Sequence, residues 1–254
     1  MNWNAGIAEL VAIMLGAVRA GAWMTLCPPF NSRLIPGTVK ALLSVGFALP
    51  MAPHLVATVP SIETADIIAS AIFQVFIGAA LGFITMLLFA AIQAAGDLLD
   101  VFGGFTLAMA YDPLSQSQSS IFGRFYSLVA VTLLFASNGH QLILRGFLQT
   151  FQTLPLNASF SMGTLSDLLI KGVGEMFVSA LQIAGPLIAV LFLTDVAFGL
   201  LNRVAPALNA FQLGFPAKIF LVLMLSGTAI AVLPRALSSI VDHAVSAVIN
   251  LGGG

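Results

Sequence analysis

The sequence predicts an all-α membrane protein, with about six long hydrophobic helices of which some are broken. Two observations carry that expectation. Of 254 residues, 59% are hydrophobic and only 7% are charged, where a soluble domain carries about 25%. So few charges cannot cover a water-facing surface, so the surrounding medium is lipid or similar protein. The apolar residues also fall in continuous runs instead of alternating, which excludes barrel strands. Backbone polar groups in lipid must be satisfied within the segment, which favours helix. A crossing helix needs about 20 mainly apolar residues, and six stretches reach or approach that length.

The first runs from about Gly6 to Phe30. Met1–Leu10 lacks Lys and Arg and carries Glu9, and no small-residue cleavage site follows. It is therefore expected to be retained and not removed as a signal peptide. Pro28 and Pro29 should end this helix, because proline removes a donor and clashes with the preceding turn. The second stretch, Val39–Val59, is interrupted by Pro50 and Pro53. Broken helices survive at membrane depth only inside protein or beside a water-filled cavity, so an assembly is expected. The third, Ile67–Ala95, places Ser70, Gln74, Gly78, Gly82, Thr85 and Gln93 on one face, interrupted by Phe89. Gly78 and Gly82 form a G-x-x-x-G pair that lets another backbone approach. That face is either a helix–helix seam or a polar wall along a conduit, and both require tight packing.

Between the third and fourth stretches lie Asp97, Asp100, Phe102, Gly103, Gly104, Phe105, Leu107, Met109, Tyr111, Asp112 and Pro113, then a serine- and glutamine-rich run. Paired glycines permit a sharp backbone change and Asp-Pro favours a turn. The segment reads either as an ordinary solvated loop or as one suited to a constriction, apolar first and flexible after. Met109 would be its deformable filler.

The fourth stretch, Phe125–Leu144, carries Asn138-Gly139-His140 near its end. His140 reads as an interface residue, since His54 and His243 lie in unrelated segments and no His or Cys spacing suggests zinc. The fifth, Met176–Leu201, contains Asp195, an acid whose cost in an apolar run makes it functional or else paired with a base or amide on a neighbouring helix or subunit. Glu175, Ser179, Gln182 and Pro186 share that segment. The sixth is Ile219–Leu237. The tail 251–254 is natural or a cloning remnant.

Function classes are excluded on the same grounds. A net charge of −1 with nine basic residues forms no cationic stripe for nucleic acid. One cysteine, Cys27, cannot form an intrachain disulfide. There is no G-x-S-x-G, P-loop or H-E-x-x-H, so neither enzyme activity nor a metal or cofactor is expected. Arg33 with Lys40, and Arg203 with Lys218, mark two basic loops that the positive-inside bias assigns to the cytoplasm.

Specific strings then narrow the class. Asn202-Arg203-Val204-Ala205-Pro206-Ala207-Leu208-Asn209-Ala210-Phe211-Gln212-Leu213-Gly214-Phe215-Pro216-Ala217-Lys218 closely resembles the signature of the flagellar FliR family, of which injectisome relatives carry a looser version. The Gly103-Gly104-Phe105…Asp112-Pro113 region, Asn138-Gly139-His140 and the Arg19…Pro28-Pro29-Phe30…Arg33…Pro36 opening agree. Gln141 departs from the pattern, where a second histidine often follows His140.

The resemblance implies a single-copy subunit of a type III protein-export gate in the bacterial inner membrane, within the flagellar basal body. Its partners would be several copies of FliP and FliQ homologues, a FlhB-type switch protein and unfolded export substrates. It implies a FliP-like region over 1–172 with a channel-plugging loop at 106–122, then a FliQ-like hairpin over 173–250. Asn202, Arg203, Pro206, Asn209, Phe211, Gly214, Phe215, Pro216 and Lys218 would form that hairpin's cytoplasmic loop. Gly78, Gly82, Asn138, His140 and Asp195 would serve subunit packing. The alternatives are a small-solute secondary transporter built around Asp195, an assembly scaffold, and an injectisome gate instead of a flagellar one.

Overall fold

The computed structural model describes residues 3–61, 63–106, 120–157, 162–206, 209, 212–227 and 233. Among them there is no strand: the chain is an all-α membrane protein. Helix α1 spans Trp3–Leu26 and stops just before Pro28-Pro29, as proline chemistry requires. Helix α2 spans Gly37–Ala48. A single 3₁₀ turn, Leu49–Met51, follows with Pro50 as its second residue, and Pro53 lies in the first turn of the short α3, Ala52–Leu55. Each proline sits where its missing N–H would lack an intrahelical partner, so the segment is interrupted without being lost.

Helix α4 spans Thr64–Gly103, 40 residues, and is longer at both ends than its apolar run. Asp66 in its first turn suits the positive end of the helix dipole and accepts a bond from Ser61 Oγ. At the other end Gly96, Asp97 and Asp100 dilute hydropathy, yet the helix continues through them to Gly103. The single fourth stretch is corrected to two helices, α5 (Ile121–Ala136) and α6 (Gly139–Thr153). Asn138 adopts φ 58 between them, a left-handed conformation that asparagine tolerates better than most residues. Two residues, Ser137 and Asn138, scarcely move a hydropathy average, so the break escapes it. Helix α7, Met162–Val204, has 43 residues and carries Pro186 internally. Helix α8 covers Gln212–Gly227; apart from Leu233, the end of the sixth stretch lies outside the described residues.

Four described segments are long and apolar enough to cross a membrane: Gly6–Leu26, Gly37–Thr58, Thr64–Gly103 and Leu165–Val204. The broken α5–α6 pair passes the same test when taken together.

The chain forms two compact units. The first comprises Met1–Leu88, Phe135–Val173 and Ile240–Gly254. Its core holds Leu15, Trp23, Met24, Leu55 and Phe147, with Trp23 stacked on Phe147 at 4.3 Å between ring centroids. Helix α6 is amphipathic: Gly139, Ile143, Gly146, Phe147, Thr150 and Phe151 are buried, while Gln141, Arg145, Gln149 and Gln152 are exposed. The second unit comprises Phe89–Leu134 and Gly174–Ser239. There Phe122, Gly123, Tyr126, Ala130 and Leu134 form the buried stripe of α5, recurring at helical spacing.

Candidate functional site

In the first unit the G-x-x-x-G face is a seam within the chain. A Cβ on Gly78 would strike the Arg19 carbonyl oxygen, and one on Gly82 would lie 2.8 Å from the Trp23 carbonyl oxygen. Helix α1 therefore packs its Arg19, Ala22, Trp23 and Leu26 ridge into the groove that these glycines leave in α4. Gln74 and Thr85 on that face are buried too. The neighbour required by Gly78 and Gly82 is α1 of the same chain. His140 tilts against Phe135 at 4.9 Å. Among the described residues its buried Nδ1 makes no hydrogen bond, and no group of three or more metal-ligating side chains occurs.

Arg19 is the residue that sequence reasoning passed over. It appears only within a longer string, yet its side chain is fully buried. Nε donates to Gln74 Oε1 at 2.6 Å, Nη1 to the Thr150 carbonyl at 3.1 Å and Nη2 to the Leu154 carbonyl at 2.8 Å. The signal was available: a base inside an apolar run is a functional hypothesis by default.

In the second unit two separate motifs meet. Gly104 has φ +84, a conformation that side chains rarely adopt, and a Cβ there would lie 2.9 Å from the Phe215 ring. A Cβ on Gly103 would lie 2.8 Å from Val222. The paired glycines thus pack against α8, whose start carries Gly214, Phe215, Pro216 and Lys218. Asn209 caps that helix, accepting from Gln212 N–H on Oδ1 at 3.3 Å; the pair Asn209 and Gln212 has the spacing of a capping box. Asn202 and Arg203 are exposed at the end of α7, where the cation complements the helix dipole, and Pro206 is exposed just beyond. Phe211 lies outside the described residues, as do Leu107, Met109, Tyr111, Asp112 and Pro113.

Around the segment expected to plug a channel, both flanks are anchored. Asp100 is buried, and its Oδ2 accepts from Ser120 Oγ and from Phe122 N–H at 3.0 Å. Ser120 also caps α5, accepting from Gly123 N–H at 2.8 Å. A carboxylate at a helix N-terminus is favoured by the dipole and the free N–H groups. Phe105 packs edge-on against Phe122 at 5.2 Å, and Phe102 remains partly exposed. Helices α4 and α5 approach closely at Gly96, where a Cβ would lie 2.5 Å from the Phe122 carbonyl oxygen. Asp100→Ala would strand the Phe122 N–H in the interior, at a cost of about 1–3 kcal/mol. The expected result is a lower yield of detergent-solubilised protein and a lower unfolding temperature, with Asp100→Asn milder because an acceptor is kept.

Asp195 on α7 is not an isolated acid. Its carboxylate and Lys218 Nζ form an ion pair at 2.8 Å, with Lys218 the more buried partner at 18% exposure against 53%. That pairing supplies the base expected of a stable acid in an apolar helix, and it weakens the case for a free coupling acid.

The geometry is that of packed membrane helices whose polar groups lock them to one another. The family model for bacterial export proteins, family 1, matches residues 10–244. The chain belongs to the FliR family of bacterial export proteins. It is 31% identical to the flagellar biosynthetic protein FliR of Bacillus subtilis strain 168, covering 98% of this chain and 99% of that protein. The FliR of Pectobacterium carotovorum is 32% identical over 92% of this chain and 88% of its own length. That of Escherichia coli K12 is 30% identical with the same coverages. FliR-family membership thus extends over both compact units.

Proposed function

We propose that this FliR-family chain is a core subunit of the flagellar type III protein-export gate in the bacterial inner membrane. It would be present in one copy, joined to several FliP and FliQ homologues and contacted by a FlhB-type switch protein. The observation that carries this reading is the family match across nearly the whole chain, which includes the two motifs that meet at Gly104 and Phe215. Two features support it. At 1.5 Å per residue, the 40 residues of α4 make a rod of about 60 Å, twice the roughly 30 Å hydrocarbon core. Such a helix suits the wall of an assembly better than a single lipid crossing. Exposed apolar side chains, among them Phe177, Phe192 and Leu200 on α7 and Phe220 and Met224 on α8, suit burial against partner subunits.

Within that gate, the loop expected at 106–122, shortened at its far end because Ile121 and Phe122 belong to α5, would close the channel to ions and yield when an unfolded substrate enters. Leu107 and Met109 would pack against apolar side chains of partner subunits, and Gly103-Gly104 would set the direction in which the loop leaves α4. The first part, 1–172, would play the FliP-like role and 173–250 the FliQ-like one. Ser120 and Phe122 have structural duties at the start of α5, so the test deletes only 107–119 and joins the flanks by a short glycine linker. With partner subunits co-expressed, ion conductance of the membrane is expected to rise severalfold while the complex stays intact by native mass spectrometry. An intact complex with unchanged conductance would overturn the plug role. A chain that forms no complex with the two partners would overturn the gate itself.

A further inference from the structure

We infer that Arg19 is a positioning residue: a guanidinium on α1 that caps the C-terminus of α6 and fixes where that helix sits against α1 and α4. Three observations converge on it. Arg19 is fully buried, and each acceptor it reaches is a neutral oxygen, on Gln74, Thr150 and Leu154. Two of those oxygens belong to the end of α6, at the negative pole of the helix dipole; the Thr150 carbonyl also accepts from Leu154 N–H at 2.9 Å, so Arg19 shares it with the helix's last backbone bond. The guanidinium carbon also lies 4.7 Å from the centroid of the Phe151 ring, so an aromatic face on α6 supplements the carbonyls.

Gln74 extends the arrangement. Its Oε1 takes the Arg19 proton while its Nε2 donates to the Leu156 carbonyl at 3.3 Å. The Leu156 N–H in turn donates to Thr58 Oγ1 at 3.3 Å. The chain leaving α6 therefore has its backbone groups satisfied by side chains from α1, α4 and the end of the second apolar segment. Irregular backbone within an apolar protein needs such partners. Arginine suits the task because its planar fork reaches several acceptors at once, which a lysine ammonium on a flexible stem does not. Fixing α6 also fixes its two faces, so Gln149 points outward while Thr150 beside it is buried.

The test uses the full chain co-expressed with its partner subunits, in a Cys27→Ser background that removes the one native cysteine. Single cysteines at Gln149, Thr150 and Ser44 are labelled with a small maleimide in permeabilised membranes. With Arg19 present, the cysteine at Gln149 should react at least tenfold faster than those at Thr150 and Ser44. Arg19→Met should raise the rate at Thr150 at least tenfold while Ser44, buried in α2, stays protected. Arg19→Lys should leave Thr150 more than threefold faster than with arginine. Continued protection of Thr150 in the methionine variant overturns the assignment. So does equal exposure of Ser44, which would mean that Arg19 holds the unit as a whole and not α6. A rate with lysine equal to that with arginine overturns the role of the fork.

Discussion

Gly78→Ala is expected to lower recovery of the folded chain severalfold, although helix propensity alone favours the substitution by about 0.5–1 kcal/mol. The new methyl would collide with the Arg19 carbonyl oxygen and lie 2.9 Å from the Ala22 methyl. The first of these is backbone, so no rotamer change relieves it and α1 must move away from α4. Overpacking of a close-packed site costs about 1–3 kcal/mol, occasionally more, and exceeds the propensity gain. The displaced backbone belongs to Arg19 itself, so its bonds to the end of α6 would be strained together with the seam. Gly46→Ala on α2 is the control, because nothing lies within 4 Å of its Cβ position. It should hold or slightly raise the unfolding temperature. The measurement is the amount of chain recovered in monodisperse complex and its thermal midpoint. Equal behaviour of the two variants would show that the α1–α4 seam does not require a glycine.

Gly104→Val should remove export while leaving the first unit folded. Two costs add here. A branched side chain at φ +84 is strained by about 1–2 kcal/mol. Its Cβ would also lie 2.9 Å from the Phe215 ring, with overpacking of about 1–3 kcal/mol. The end of α4 would be pushed off α8, separating the two motifs that the fold brings together. Secretion of a flagellar substrate should fall to background. Truncating the ring in Gly104→Ala/Phe215→Leu should recover part of it, since the steric share is relieved while the backbone share remains. No recovery would mean that the backbone conformation alone matters; full secretion by Gly104→Val would remove the contact from the mechanism.

Much of this architecture is legible in the amino-acid order. The C-terminal end of α1 and the interruptions in the second segment follow from Pro28, Pro29, Pro50 and Pro53, because proline acts on its own turn. The tight face of α4 follows from Gly78 and Gly82 at helical spacing. The break at Asn138 and the extra turns of α4 and α7 were not legible from hydropathy. An average over many residues does not register one left-handed residue, and it discounts helical residues whose polarity is met by packing. Part of the expected site, from Leu107 to Pro113, lies outside the described residues, so its role rests on the family resemblance.

The amino-acid order by itself determined that the protein lives in an apolar medium, where prolines end or interrupt its first two apolar segments and to which family it belongs. Those properties depend on local composition and on contiguous strings. Tertiary structure alone decided what the polar groups in those helices do. Arg19 finds its acceptors 55, 131 and 135 positions away, and Asp195 finds Lys218 on the next helix. Gly104 meets Phe215 through a contact that no local pattern records. The physical reason is that a charge or a missing side chain specifies a requirement, for neutral oxygens or for close approach, without naming its partner. Only the packed chain brings the partner within reach.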